Sequence, residues 1–193
     1  MPLILASASP IRRALLDQAG IAHEAIPAGV DEAAIKSRHD DVQRATIALA
    51  GAKAVAVSNT RPGDWVIGSD SMVTVDGRSF DKPDNRGHAA EHLRFFSGRQ
   101  MILTSAAALA KDGSVDWAVA DQAFLSVREL SDAFIQQYLD KEWPEVGYCV
   151  GVFRLERMGV QLFDSIDGNY FTVLGLPLLP LLAALRERGL APE

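Results

Sequence analysis

The chain has 193 residues, 48% hydrophobic and 23% charged, the profile of one globular domain with a sizeable core rather than of a disordered chain. Its formal net charge of −6 argues against a general nucleic-acid binder, which needs a basic footprint, but leaves room for a local positive pocket that takes a phosphorylated small molecule. The single cysteine, Cys149, excludes an internal disulfide framework and any multi-cysteine metal site.

Met1-Pro2-Leu3-Ile4-Leu5 lacks the basic start and long apolar run of a signal peptide, and the best apolar span, Thr172 to Leu185, is interrupted by Pro177 and Pro180. A cytoplasmic protein without a membrane segment is expected. Leu3 to Ala6 reads as a short buried strand, and Ser7-Ala8-Ser9-Pro10 breaks it to start a helix from Pro10 to Ala19, with Ser9 as N-cap and Gly20 as the stop. Ile21 to Pro27 suggests a second strand, and Asp41 to Val57 a long alanine-rich helix. Trp65 to Gly68 reads as a buried strand ending at Ser69-Asp70, followed by a hairpin from Met72 to Val75 turned by Asp76-Gly77. Asn85 to Phe96 is helical. Met101 to Ala110 and Val115 to Val127 are apolar runs joined by the turn Lys111-Asp112-Gly113-Ser114. Ser131 caps a helix to Leu139, Gly151 to Leu155 and Val160 to Ile166 look like strands, and a last helix follows Pro177. Parallel crossovers mixed with hairpins give an α/β protein with a mixed sheet.

Several segments could carry chemistry. At Ser9-Pro10-Ile11-Arg12-Arg13, the free N–H groups of a helix start, a hydroxyl and a cation suit a phosphate, although Ser9 as a simple cap and solvent-facing arginines fit the same residues. Asp70, at the expected end of a buried strand, could activate water or hold a metal, or merely stabilise a turn. Lys82 in Asp81-Lys82-Pro83 could present a point charge to phosphate or be solvated. Lys53 lies near the apolar face of its helix, where a charge needs a partner unless it snorkels. Asp31-Glu32 and Glu156 could join Asp70 as oxygen ligands for Mg²⁺ or Mn²⁺, or each be a surface acid. His88 and His92 share a helix face but carry no zinc-protease pattern, and no glycine-flanked serine elbow is present.

Taken in order, Leu3 to Leu16, Val30-Asp31-Glu32, Leu49 to Ala54, Ile67-Gly68-Ser69-Asp70, Asp81-Lys82-Pro83, Ser97-Gly98-Arg99, Gly151 to Gly159 and Gly175-Leu176-Pro177-Leu178 resemble the Maf family of nucleotide pyrophosphatases over nearly the whole chain. The resemblance implies a single domain over residues 1–193. Its fold would be a two-lobed α/β fold with a mixed β-sheet, flanking helices and a central cleft, similar to inosine triphosphate pyrophosphatases. It implies attack of water on the α-phosphorus of a nucleoside triphosphate, releasing diphosphate, with Mg²⁺ or Mn²⁺. Asp70 would be the general base, Glu32 would help place the metal together with Asp70, and Lys82 would complete the catalytic set. Ser9, Arg12, Arg13 and Lys53 would hold the phosphates with Lys82, and Glu156 would bind the base. The expected partner is the nucleotide, with a homodimer as the allowed assembly and no nucleic acid or membrane.

The chain departs from the family pattern at Ile11, where arginine is common, at Met101 for histidine, Ser105 for threonine, Phe153 for tyrosine and Arg157 for glycine. Glu156 stands where the pyrimidine-triphosphate branch carries glutamine, so the resemblance leans toward the branch acting on 7-methyl-GTP. A UTP- or dTTP-specific enzyme of the same family and a nucleotide-binding regulator of cell division with little turnover are the alternatives.

Overall fold

The computed structural model describes residues 3–192. Strand β1 (Leu3–Leu5) leads into helix α1 (Pro10–Gln18), and β2 (Glu24–Ala25) is only two residues of the expected 21–27 run. Helix α2 (Glu32–Lys36) was not expected from the sequence. It starts at Asp31, whose carboxylate accepts from the Ala34 N–H at 3.0 Å. Helix α3 (Val42–Ser58) is capped in the same way by Asp41, which accepts from the Arg44 N–H at 2.8 Å.

Strand β3 (Trp65–Val75) runs unbroken through the residues read from sequence as strand, bend and hairpin strand, so Asp70 sits in mid-strand rather than at a strand end. The strand continues because Ser69, Asp70 and Ser71 each have a long-range partner, as described below. Then follow β4 (Arg78–Phe80), α4 (Arg86–Phe96), β5 (Gln100–Lys111), β6 (Ser114–Val127), α5 (Asp132–Glu142), β7 (Phe163–Asp167), α6 (Tyr170–Val173) and α7 (Leu178–Glu187). These elements form a mixed α/β fold with a seven-stranded sheet in the order β2-β1-β3-β5-β6-β7, with β4 added antiparallel on β3. β1 pairs parallel with both β2 and β3, while β6 and β7 are antiparallel. Among the described residues no helix is long and apolar enough to cross a membrane.

Two compact units share the chain. The first takes the residues up to Ser71, Thr104–Asp121 and those from Asn169 onward. Its core packs Ile4 and Ala6 of the β1 segment and Val66 of β3 against Ala54 and Val57 of α3. Ala50 of α3 meets Ala106 and Ala108 of β5. The small residues of α3 have a purpose: a Cβ on Gly68 would stand 2.0 Å from the Ala50 carbonyl oxygen and 2.9 Å from the Ala54 Cβ. Strand and helix therefore approach more closely than any side chain at position 68 allows.

The second unit takes Met72–Leu103 and Gln122–Gly168. Its helices α4 and α5 are linked by Arg86 donating to Gln136 and Asp140, and by Arg94 donating to Asp132. Phe80, His92 and Phe96 pack edge-on and tilted between β4 and α4. The expected strand Gly151–Leu155 is a loop instead, and Val160 to Leu162 belongs to a 3-10 turn, Met158–Leu162, that precedes β7. The reason is local. Gly151 and Val152 both adopt positive φ, 81° and 57°, which breaks any ladder, and the buried Tyr138 hydroxyl donates to the Val152 carbonyl at 3.0 Å to hold the bend. Arg154 then donates twice to the buried Glu142 carboxylate, through Nε at 3.1 Å and Nη2 at 2.8 Å.

Candidate active site

Lys53 gathers the charges of the first unit. Its Nζ lies 2.6 Å from Oδ1 of Asp70 and 2.7 Å from Oε1 of Glu32, so one ammonium bridges the carboxylate of mid-β3 and that of the first residue of α2. Asp70 is 6% exposed, whereas the Glu32 side chain is 46% exposed. The partner that a lysine near the apolar face of α3 requires is thus found twice over. The close approach at Gly68 sets the geometry, because it brings α3 within a side chain's length of the strand.

Alternation along β3 places Ser69 and Ser71 on the face opposite Asp70. There the carbonyl oxygen of Gly175 accepts from Arg12 Nε at 2.8 Å and from Ser69 Oγ at 3.1 Å. Arg12 also donates through Nη1 to the Ser69 carbonyl at 3.1 Å and through Nη2 to Ser71 Oγ at 3.0 Å. Gly175 has φ of 94°, and a Cβ on it would meet Ser71 Oγ at 3.3 Å, so a glycine is needed for the segment to fold back here. Arg12 is therefore pinned by protein acceptors, a structural duty that its spacing from Ser9 does not reveal. Ser9 is the N-cap of α1 but its hydroxyl makes no cap bond; the Ser9 N–H donates instead to Ser7 Oγ at 3.2 Å. Arg13 is exposed on α1.

The second unit holds the remaining candidates. Lys82 is exposed before the buried Pro83, and Glu156 is exposed in the turn that follows Arg154. Both act on Cys149: burial pushes its thiol up to about 11, the Glu156 charge pushes the same way, and Arg154 and Lys82 oppose it. Lys82 and Glu156 thus border one neighbourhood around Cys149. Pro83 and Asp84 join Trp143, Pro144, Gly147 and Tyr148 around a cleft of about 170 Å³, too small to bury a nucleotide by itself.

Of the candidate acids, Glu32 and Asp70 meet at Lys53 in the first unit. Among the described residues no group of three or more His, Cys, Asp or Glu is placed to hold a metal ion. Asp31 is used as the α2 cap, and Glu156 belongs to the other unit. Asp70 and Glu32 are a hard-oxygen donor pair of the kind that Mg²⁺ or Mn²⁺ takes together with phosphate oxygens, but the point they share is held by the Lys53 ammonium, so a cation would have to share the two carboxylates with it. Reading the sequence alone misses the hydrogen-bonding roles of Ser71, Ser105, Thr172 and Asp121 on the Gly175 side of the strand, and the Glu142–Arg154 pair. The signal for the first group is a polar Ser-Asp-Ser in a largely apolar strand.

This α/β chain, in which two carboxylates converge on a helix lysine, belongs to the Maf-like protein family, whose sequence profile matches residues 2–188. It is 49% identical over 191 residues to the nucleoside triphosphate pyrophosphatase of Nitrobacter hamburgensis, covering 98% of this chain and 95% of that one. It is 46% identical over 191 residues to the 7-methyl-GTP pyrophosphatase of Rhizobium meliloti, covering 97% and 96%. Among solved structures, a nucleoside-triphosphatase / dITP/XTP pyrophosphatase from Mycobacterium abscessus aligns at 18% identity and a TM-score of 0.41, over 66% of this chain and 73% of that one, a partial likeness.

Proposed function

We propose that this chain hydrolyses nucleoside triphosphates to the monophosphate and diphosphate, and that 7-methyl-GTP is its preferred substrate. The observation that carries the reading is the Asp70–Lys53–Glu32 contact, a buried carboxylate aligned by a lysine, in a chain whose relatives are named for this activity. Asp70 accepts a proton from water as the water oxygen bonds to the α-phosphorus; the bond from that phosphorus to the bridging oxygen breaks, and diphosphate leaves. Lys53 fixes the orientation of the Asp70 carboxylate. Ser9 and Arg13 at the start of α1, with the charge of Arg12 behind them, and Lys82 neutralise the phosphate oxygens. A divalent cation held by Glu32 and Asp70 supplies further neutralisation of the phosphate charge when bound.

Glu156 is proposed to select the base. A guanine edge offers two neighbouring donors, the ring N–H and the exocyclic amine, and a carboxylate accepts both. Methylation at N7 makes the base cationic and strengthens that attraction. The test is diphosphate release from a panel of triphosphates with ordinary and methylated bases. Binding of triphosphates without diphosphate release would instead mark a nucleotide-binding regulator, and preference for UTP or dTTP would remove Glu156 from base selection.

A further inference from the structure

Around Gly175 the first unit contains a chain of hydrogen bonds whose direction can be worked out proton by proton. Ser105 is fully buried, and its hydroxyl donates to the Thr172 carbonyl at 2.9 Å, an oxygen that can only accept. Ser105 has no second proton, so the 2.9 Å bond between Ser71 Oγ and Ser105 Oγ must use the proton of Ser71. With its proton turned to Ser105, Ser71 presents a lone pair to Arg12 Nη2 at 3.0 Å. The Thr172 hydroxyl, also buried, donates onward to Asp121 Oδ2 at 2.6 Å. A cation and a carboxylate thus stand at the two ends of one polar path through β3, β5, α6 and β6.

We infer that Ser105 is a positioning residue for the reaction: by taking the Ser71 proton it keeps Arg12 and the Gly175 carbonyl locked behind Asp70. The inference rests on the pyrophosphatase reading only for its effect on turnover. A carbonyl oxygen has two lone pairs, and those of Gly175 are used by Arg12 Nε and Ser69 Oγ. The Gly175 oxygen also lies 3.5 Å from Ser71 Oγ, at the edge of bonding range. If Ser105 offers no acceptor, Ser71 turns its proton to that oxygen and becomes a third donor competing for two sites. It simultaneously turns its lone pair away from Arg12. Both changes loosen the guanidinium and the backbone at Ser69 and Ser71, the residues that flank Asp70 in the strand. A buried polar path is expensive to maintain where apolar side chains would pack, and fixing one arrangement is what it supplies.

The test compares the parent with Ser105→Thr and Ser105→Val, two side chains of nearly equal shape that differ by the hydroxyl. The first measurement is hydrogen exchange of the Arg12 Nε–H by nitrogen-15 NMR, identified by its loss in Arg12→Lys. Protection should hold in the parent and in Ser105→Thr and fall about tenfold or more in Ser105→Val as that local structure opens. The second is steady-state diphosphate release: kcat should fall about tenfold in Ser105→Val, the scale of one lost hydrogen bond at a positioned group, and recover in Ser105→Thr. KM should stay within about twofold, because an effect confined to the transition state leaves ground-state binding alone. A packing role alone would lower the melting temperature without this kcat difference between two variants of one shape. Should Ser105→Val fail to fold, Ser71→Ala cuts the same link from its other end and is judged by the same two measurements. Unchanged Arg12 protection, or Ser105→Thr as impaired as Ser105→Val, overturns the inference. A parent that releases no diphosphate from any triphosphate overturns the functional reading instead, and the Arg12 exchange then decides the inference alone.

Discussion

Gly68 and Ala50 approach so closely that a single methyl group on Gly68 would stand 2.0 Å from the Ala50 carbonyl oxygen, well inside van der Waals contact. The obstacle is helix backbone, which cannot rotate aside as a long side chain can. Gly68→Ala must therefore push α3 away from β3, and Lys53 travels with the helix. We predict a loss of about 3 kcal/mol of stability, the upper range for overpacking a core, together with loss of turnover. Urea denaturation checks the first part; a variant as stable as the parent would contradict the geometry.

Asp70→Asn should remove turnover while leaving the fold standing. The two side chains have nearly the same shape, and the amide oxygen can still accept from Lys53, but the amide cannot take the proton of water. A fall in kcat of about a hundredfold or more is expected, the usual scale for a positioned general base. Circular dichroism confirms the fold, and near-parental kcat in a folded variant would exclude Asp70 from the proton transfer.

Turnover should stop on chelation and return with Mg²⁺ or Mn²⁺, with monophosphate and diphosphate as the first products. Phosphorus-31 NMR reads the products directly. Orthophosphate appearing first would mean attack at the terminal phosphorus, which the proposed chemistry does not allow.

Glu156→Gln should exchange substrates rather than simply weaken the enzyme. The amide offers one acceptor and one donor, which complement the edge of uracil or thymine and leave one guanine donor without a partner. We expect kcat/KM for 7-methyl-GTP to fall and that for UTP or dTTP to rise. An equal loss on every triphosphate would show that Glu156 acts on something other than the base.

His92 should make the protein acid-sensitive. It is 7% exposed, its buried Nδ1 finds no hydrogen-bond partner among the described residues, and it packs edge-on against Phe80 and His88. Burial holds its pKa below the ordinary 6.5, the neighbouring His88 and Arg78 charges act the same way, and Glu91 and Asp84 oppose them. The folded state then binds fewer protons than the unfolded chain around and below that value, so stability present at higher pH is lost as pH falls through it. His92→Phe removes this term and suits the aromatic surroundings. Its melting temperature should fall less than the parent's between about pH 7.5 and about pH 5, the range in which an ordinary histidine titrates. Parallel curves for the two proteins would show that His92 takes no part in the acid response.

What the sequence reveals of this chain depends on how far each signal reaches. The long α3, the helix that follows Asn85 and the cap at Ser131 are local, and each is found where periodicity and capping chemistry put it. The need of Lys53 for a partner is legible too, since it follows from a charge beside alanines. Ser69-Asp70-Ser71 misleads because local chemistry reads three polar residues as a bend, while their partners lie in α1, α3, β5 and the Gly175 segment. Gly151 to Leu155 misleads in the opposite direction, as an apolar run resembling a strand. It is held as a loop by Tyr138 and Glu142, two buried groups whose role depends on where α5 packs. Asp31 misleads as a ligand candidate in the same way: counting acids does not tell which of them caps a helix.

The Gly175 carbonyl has a consequence for the order in which the protein is made. Ser69 leaves the ribosome 106 residues ahead of the oxygen to which its hydroxyl donates, and Arg12 precedes the same oxygen by 163 residues. During synthesis the strand bearing Asp70 can exist, and Lys53 can reach it, while the acceptor behind it has not yet been translated. The pairing of Lys53 with Asp70 spans only 17 residues and is available early. A nascent chain therefore carries the charged face of its site long before the carbonyl that fixes the other face. The face that Gly175 fixes is completed only after both of its donors, Arg12 and Ser69, have long been made.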